Sequence, residues 1–222
     1  SNASNGQTVT NFGHAQDDSI TFSSVSFPAY DPNYTITFDW DAVNRLIGAT
    51  RKDSLDSVTD TGVWNYSGGI GWQVATQTIN GSNRGFSWGF GGEMLSETIP
   101  SFGSFPGATR TYVNSGVDHV LWSHDGAVNT PANFFMHDVN GSLYGIANAA
   151  GAMIERTRFD SFGNNSQVTN PAGVVIPNST IGNAFGFHGR TGVPEFGIQN
   201  FRNRFLDNAT GRFLNRDPLG LV

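Results

Sequence analysis

The chain has 222 residues and a formal net charge of −6, enough for one sizeable core and without the run of Lys or Arg that nucleic acid or an anionic membrane demands. No stretch reaches the roughly 18 apolar residues of a membrane helix, and the absence of cysteine excludes disulfides, a thiolate nucleophile and Cys-ligated zinc. Gly (28) and Phe (18) are abundant and charged residues are only 14%, a mixture that suits many short strands joined by tight turns. No segment holds a 3.6-residue apolar period, and residues 54–58, the closest to one, are too short for a helix. The expectation is an all-β chain.

In chain order, Ser1, Asn2 and Ala3 read as a tag-cleavage remnant and are set aside. Residues 4–33 give no assignable pattern. Residues 35–50 (TITFDWDAVNRLIGAT) alternate apolar positions, then carry Trp40-Asp41 and Asn44-Arg45-Leu46. Residues 134–148 (FFMHDVNGSLYGIAN) repeat the plan, with His137-Asp138, Asn140-Gly141 and Leu143 in the same slots. A third copy starts at Phe159-Asp160 and turns at Phe162-Gly163-Asn164; a fourth, residues 201–217, has Asp207 followed by Gly211-Arg212-Phe213. Each copy reads as a β-hairpin. The Asp accepts from backbone N–H groups two residues on, Gly or Asn supplies positive φ, and an apolar residue restarts the alternation. One hairpin cannot bury its face alone, so the copies are expected to stack in one antiparallel sheet. The spacing is irregular, and Gly/Pro/Ser-rich loop insertions are expected at 100–108 and 164–180. Residues 34–184 thus form one β structure, followed by a distinct block at 185–222.

These residues resemble the RHS-repeat (YD-repeat) family, specifically its RHS repeat-associated core. Trp40-Asp41, Asn44-Arg45-Leu46 and Thr50 fit the repeat's Tyr-Asp, Gly-Arg-Leu and Thr frame, and residues 137–164 match the run that contains Asp138, Gly141 and Asp160. The most specific match is 185–220, where Gly189-Arg190, Arg202, Arg204, Asp207, Gly211-Arg212-Phe213 and Arg216-Asp217-Pro218-Leu219-Gly220 follow the family's order. Two departures stand out. Phe205 replaces a Tyr, and Pro194-Glu195-Phe196-Gly197 replaces an acidic-Thr-Gly-Leu-Tyr run.

The resemblance implies an exported bacterial protein, extracellular or on the cell surface. Its repeats spiral into a hollow shell around a variable C-terminal cargo, often a toxin, and this chain would be a structural wall or plug fragment. It further implies that Arg216 and Asp217 are half of an aspartate self-cleavage centre completed beyond Val222, so the chain by itself is not an enzyme. Two carboxylates close together cannot both ionise cheaply, which would leave one as acid and one as base. The plain alternative is that Asp217-Pro218 opens a turn and Arg216 pairs locally. A body of this length has a radius of gyration of about 17 Å and leaves no room for a separate folded cargo. The implied partners are the rest of its own shell and cargo; an excised sheet could also pair edge to edge into a homodimer.

Other constellations carry less. Among the histidines, His119, His124 and Asp125 form the tightest group. The odd separation of the two His puts them on opposite faces of a strand, so no metal is assigned. The turn at 138–141 lacks the ligand count of a calcium loop, and no Gly-x-Ser-x-Gly elbow or phosphate-binding loop is present. No cofactor is expected. The alternative function is a carbohydrate-binding module that stacks sugars on Trp64, Trp72, Trp88 and Trp122 if they are exposed; in a β wall, aromatics at alternating positions are more often core.

Overall fold

The computed structural model describes residues 12–14, 20–22, 34–67, 71–126, 133–217 and 220. Strands follow one another in sequence order as an antiparallel meander of fifteen. They are β1 (Phe12–His14), β2 (Ile20–Phe22), β3 (Thr35–Trp40), β4 (Leu46–Lys52), β5 (Val58–Tyr66), β6 (Val74–Ile79), β7 (Ser82–Trp88) and β8 (Met94–Ile99). The meander continues through β9 (Ala108–Gly116), β10 (His119–Asp125), β11 (Asn133–His137), β12 (Leu143–Ala147), β13 (Met153–Phe159), β14 (Asn165–Thr169) and β15 (Val175–Ile176). A second sheet of four short strands contains β16 (Thr191–Val193), β17 (Ile198–Asn200), β18 (Phe205–Asp207) and β19 (Arg212–Phe213). The expected all-β, hairpin-built architecture is what forms.

One turn chemistry drives the meander. Asp41 Oδ1 accepts from the N–H of Val43 (3.1 Å) and of Arg45 (2.8 Å), while Asn44 takes φ 65°. Asp138 does the same toward Asn140 and Ser142 around Gly141 (φ 79°), and Asp160 toward Phe162 and Asn164 around Gly163 (φ 84°). In each, the first residue donates to the fifth residue's carbonyl and the fourth donates back to the first. That pattern is a type I turn closed by a bulge whose left-handed residue favours Gly or Asn. The register then slips by one residue just inside the turn, between Asp39 and Trp40, Met136 and His137, and Arg158 and Phe159. The repeat is more regular than the sequence spacing suggested. Asp53, Asn148 and Asn170 head the same turn, and Gly89 heads it with backbone bonds alone.

Two expectations change. The stretch 164–180 carries β14 and β15 about the turn at Asn170, because its Asn and Gly are turn residues between strands rather than a loop insertion. The fourth repeat copy, around Asp207, belongs to the separate small sheet instead of the shared one. Its Gly211 N–H reaches back four residues to the Asp207 carbonyl, one more than in the other turns. Residues 100–107 do form a loop, closed by Phe102 and Phe105 stacked at 5.0 Å. The remnant at 1–3, most of 4–33, and Pro218 and Leu219 lie outside the described residues.

Alternation along the strands sends Ile36, Phe38, Trp40, Leu46, Ala49, Trp64 and Val74 to one face, where they bury against Val193, Phe196, Ile198, Phe205 and Leu214 of the small sheet. Trp64 sits between Phe196 and Phe205, with ring centroids 6.0 Å away from each. Gly62 leaves the space that Trp64 and Phe196 fill. A second core joins Met94, Tyr112, Val120, Phe135, Leu143 and Ile146 to Phe185. The large sheet therefore buries one face against the chain's own C-terminal block.

Candidate functional site

Successive turns of a meander fall on alternate ends of the strands. One end of the sheet thus collects the turns at 41–45, 89–93, 117–118, 138–142 and 160–164, with Ser67 and Gln73 at the ends of β5 and β6 bonded on the same side. The C-terminal block binds along this rim. Asn215 Nδ2 donates to the Asn44 carbonyl (3.1 Å), His188 N–H donates to Ser142 Oγ (3.1 Å), and His188 Nδ1 lies 2.8 Å from the Asn140 carbonyl. Asn208 Nδ2 donates to the Gly163 carbonyl (3.1 Å), and Asn164 Nδ2 returns a bond to the Asn208 carbonyl (2.9 Å).

At the middle of the rim, Asp118 (φ 65°) receives two arginines from the block. Arg190 Nη2 stands 3.0 Å from Asp118 Oδ2, and Arg202 Nη2 bonds the same oxygen. Burial pushes the Asp118 carboxyl up despite both guanidinium groups, and burial pulls Arg190 down. Arg190 also lies over the Phe201 ring at 5.0 Å. Nε and Nη1 of Arg190, Nε of Arg202 and Oδ1 of Asn200 are buried without a protein partner. These residues line one cavity of about 20 Å³, room for a bridging water. Beside it an open depression of about 410 Å³ is lined by Asp118, His119, Asn140, His188, Arg190 and Phe201. His137 stacks on His119 at 4.5 Å, and both of its ring nitrogens lie 2.9 Å from carbonyls, those of Gly141 and Val120.

The residues singled out by sequence fall into three sets. Trp40 is buried in the core, and Asp41, Arg45, Asp138, Gly141 and Asp160 build rim turns, with Arg45 Nε on Asp41 (2.7 Å) and Arg45 Nη1 on the Gly71 carbonyl (2.7 Å). Asp160 is held below the usual carboxylate range: burial opposes this, but the Asn164 side chain and the turn's N–H groups outweigh it. Gly189, Arg190 and Arg202 converge on Asp118, a residue the sequence pattern did not single out. Gly211 (φ 66°) abuts the Phe162 ring, so the block's last turn sits on the turn at 160–164.

Arg204, Asp207, Arg212, Arg216 and Asp217 do not form one cluster. Asp207 is buried, bonding Thr210 Oγ1 (2.5 Å) and the Ala209 N–H (2.9 Å), and burial raises its carboxyl. Asp217 pairs with Arg204 at 3.4 Å, and Arg204 lies 3.6 Å over the Phe213 ring. Arg212 and Arg216 are exposed.

The tryptophans that the carbohydrate-binding alternative needs exposed are buried or half-buried, as expected of aromatics in a β wall. Trp64 is 2% accessible in the core, and Trp88 donates from Nε1 to the Val74 carbonyl (2.7 Å); Trp72 and Trp122 are half-buried. His119 and Asp125 are separated by their partners, since Asp125 is engaged with Arg110 through both oxygens. Among the described residues no group of three or more His, Asp or Glu is arranged to hold a metal ion. No described helix is long and apolar enough to cross a membrane.

Sequence reasoning missed a buried charged layer toward the opposite ends of the strands. Arg84 pairs with Glu97 at 3.2 Å, Tyr112 donates to Glu97, and fully buried Arg110 is paired with Asp125. Glu155 accepts from the Thr180 N–H and hydroxyl. Alternation could have found it, because Glu97, Arg110 and Glu155 occupy inward positions.

No family model and no curated protein matches the chain. Solved structures similar to it are assemblies containing the Tc toxin chain TccC3. The crystal structure of TcdB2-TccC3-TEV aligns at 12% identity and TM-score 0.43 over 84% of this chain and 12% of that one. The Photorhabdus luminescens Tc holotoxin pore aligns at 13% identity and TM-score 0.42 over 96% of this chain and 13% of that one. The crystal structure of TcdB2-TccC3 aligns at 11% identity and TM-score 0.36 over 92% and 18%. The chain thus spans less than a fifth of the length of the structures it matches.

Proposed function

We propose that this chain is a wall-and-plug segment of an RHS-type shell protein, extracellular or on the surface of a bacterium, and that its work is mechanical. The large sheet is the wall, and residues 185–217 close one rim of it. The observation that carries this reading is which residues do the closing. Gly189, Arg190, Arg202 and Gly211, named by their place in the RHS core pattern, contact rim turns alongside His188, Asn208 and Asn215. The buried face of the large sheet is covered by side chains of the block, so any cargo would lie outside the described body. Its partners on this reading are the rest of its own shell and the enclosed segment.

Arg216 and Asp217 are assigned half of the family's self-cleavage centre. Asp217 is tethered to Arg204, which orients its carboxylate at the end of the plug. The test is the natural longer polypeptide that carries this segment. Electron cryomicroscopy is expected to show a hollow β shell with residues 185–217 seated at one end; a free-standing module on flexible linkers overturns the proposal. In the same polypeptide Asp217→Asn is expected to abolish self-cleavage, and cutting at the native rate rejects the half-site alone.

A further inference from the structure

The end of the plug carries its last ion pair on two stacked rings. Arg204 sits over Phe213, its guanidinium carbon 3.6 Å from the ring centroid, and its Nη1 stands 3.4 Å from Asp217 Oδ2. Phe213 in turn packs edge-on against Phe201, with centroids 5.7 Å apart and 80° between the planes. Arg190 covers Phe201 at 5.0 Å, and Arg190 is an arginine that the rim fixes through Asp118. Two rings and two guanidinium groups thus lead from the middle of the rim to the carboxylate assigned to the half-site.

An Arg–Asp pair as open to water as this one does not hold either side chain still, because solvent screens the attraction and both keep their rotamers. A ring under the guanidinium changes that. Contact with the ring face restricts the cation, and a planar cation so held presents its N–H groups in a fixed direction. Phe213 is itself 37% exposed, so it adds little to the core; what it supplies is the seat of Arg204. The backbone leading to Asp217 is fixed as well. Two residues earlier, buried Asn215 accepts from the Phe205 N–H (3.0 Å) and donates to the Asn44 carbonyl of a rim turn (3.1 Å).

We propose that Phe213, seated on Phe201, is a positioning residue of the half-site, holding Arg204 so that Arg204 sets the Asp217 carboxylate while Arg190 is docked on Asp118. Its role in cleavage rests on the half-site reading; the ring platform does not. In the natural longer polypeptide, Phe213→Leu is expected to slow self-cleavage about tenfold or more, and Phe213→Tyr, which keeps the ring, to cut at the native rate. Leu cutting at the native rate, or Tyr as slow as Leu, overturns the positioning role. Native-rate cutting by Asp217→Asn rejects the half-site itself and Phe213's part in it, whereas cutting lost in Asp217→Asn but native in Phe213→Leu rejects the positioning role alone. The platform is read without cleavage from the Arg204 Nε–H proton resonance of this chain. The Phe213 ring current is expected to displace that signal, and Asp118→Asn, which removes the charge that holds Arg190, to move it toward the free-arginine position. If Asp118→Asn perturbs folding, Arg190→Lys, which keeps the ion pair and takes the planar cover off Phe201, gives the same comparison. An Arg204 signal already at the free-arginine position in the wild type, or one unmoved by these rim-side changes, overturns the proposal.

Discussion

Gly189 passes so close to the backbone carbonyl of Asp118 that a Cβ on it would overlap the oxygen, and its φ of 66° is left-handed as well. The two residues are distant in sequence, and their contact is where the plug touches the middle of the rim. Neither backbone can yield alone, because Asp118 is fixed by two arginines and Gly189 lies in a one-turn 3₁₀ segment (Phe187–Gly189). Gly189→Ala is therefore expected to lower unfolding stability by about 3 kcal/mol or more, combining left-handed strain with a backbone clash. Urea denaturation measures it; a loss under 1 kcal/mol would mean the contact is slack.

Asp118 is half-buried and shared by Arg190 and Arg202. A double-mutant cycle with Asp118→Asn and Arg202→Ala is expected to give a coupling of about 1–2 kcal/mol, the range for residues in one ionic network. Additive effects would place Arg202 on the surface without a tether. Because burial raises the Asp118 pKa, ionising it costs stability, and the coupling seen is the arginines' partial recovery of that cost.

Asp207 gives a pH signature. Burial raises its carboxyl, outweighing the Thr210 hydroxyl and the Ala209 and Thr210 N–H groups. The native state therefore holds the proton more tightly than the unfolded chain. Stability is lost as pH climbs from the ordinary Asp value of about 3.9 up through the raised native one. Asp207→Asn keeps an acceptor and no charge, so its stability at pH 7 should equal or exceed the wild type, and its profile across the acid range should fall less with rising pH. Parallel profiles would contradict this. Asp160 has the opposite sign: its lowered pKa adds stability above the unfolded value and loses it in acid.

The buried layer behind the plug makes the sharpest stability claim. Arg110 is fully buried and relies on Asp125. Asp125→Ala strands that charge and is expected to cost about 3–5 kcal/mol, whereas Arg110→Met with Asp125→Leu should come close to wild type. Thermal unfolding separates the outcomes; a mild single variant means that Glu97 alone neutralises Arg110.

Much of this was legible from residue pattern. Trp40-Asp41 to Leu46, Asp138 to Leu143 and the turn at Asp160 are hairpins because a short acceptor and a left-handed residue sit at fixed offsets, which is local chemistry. Asn148 and Asn170 went unread since Asn serves as well as Asp there. Asn80-Gly81, both at positive φ between β6 and β7, is a two-residue hairpin signal that was available and unused. The placement of Arg190 and Arg202 on Asp118 was not legible, because nothing local links the end of the chain to a turn so far back in sequence, 84 residues from Arg202. What covers Trp64 was not legible for a related reason: its partners Phe196 and Phe205 belong to the plug, which alternation within β5 does not reveal.

Hydrogen exchange of the intact chain, followed by mass spectrometry, bears most directly on the plug. Peptides spanning β17 and β18 are expected to exchange as slowly as those of β5, because Trp64 packs on Phe196 and Phe205 in one cooperative unit. Rapid exchange of residues 198–207 while β3 to β6 stay protected would contradict the account.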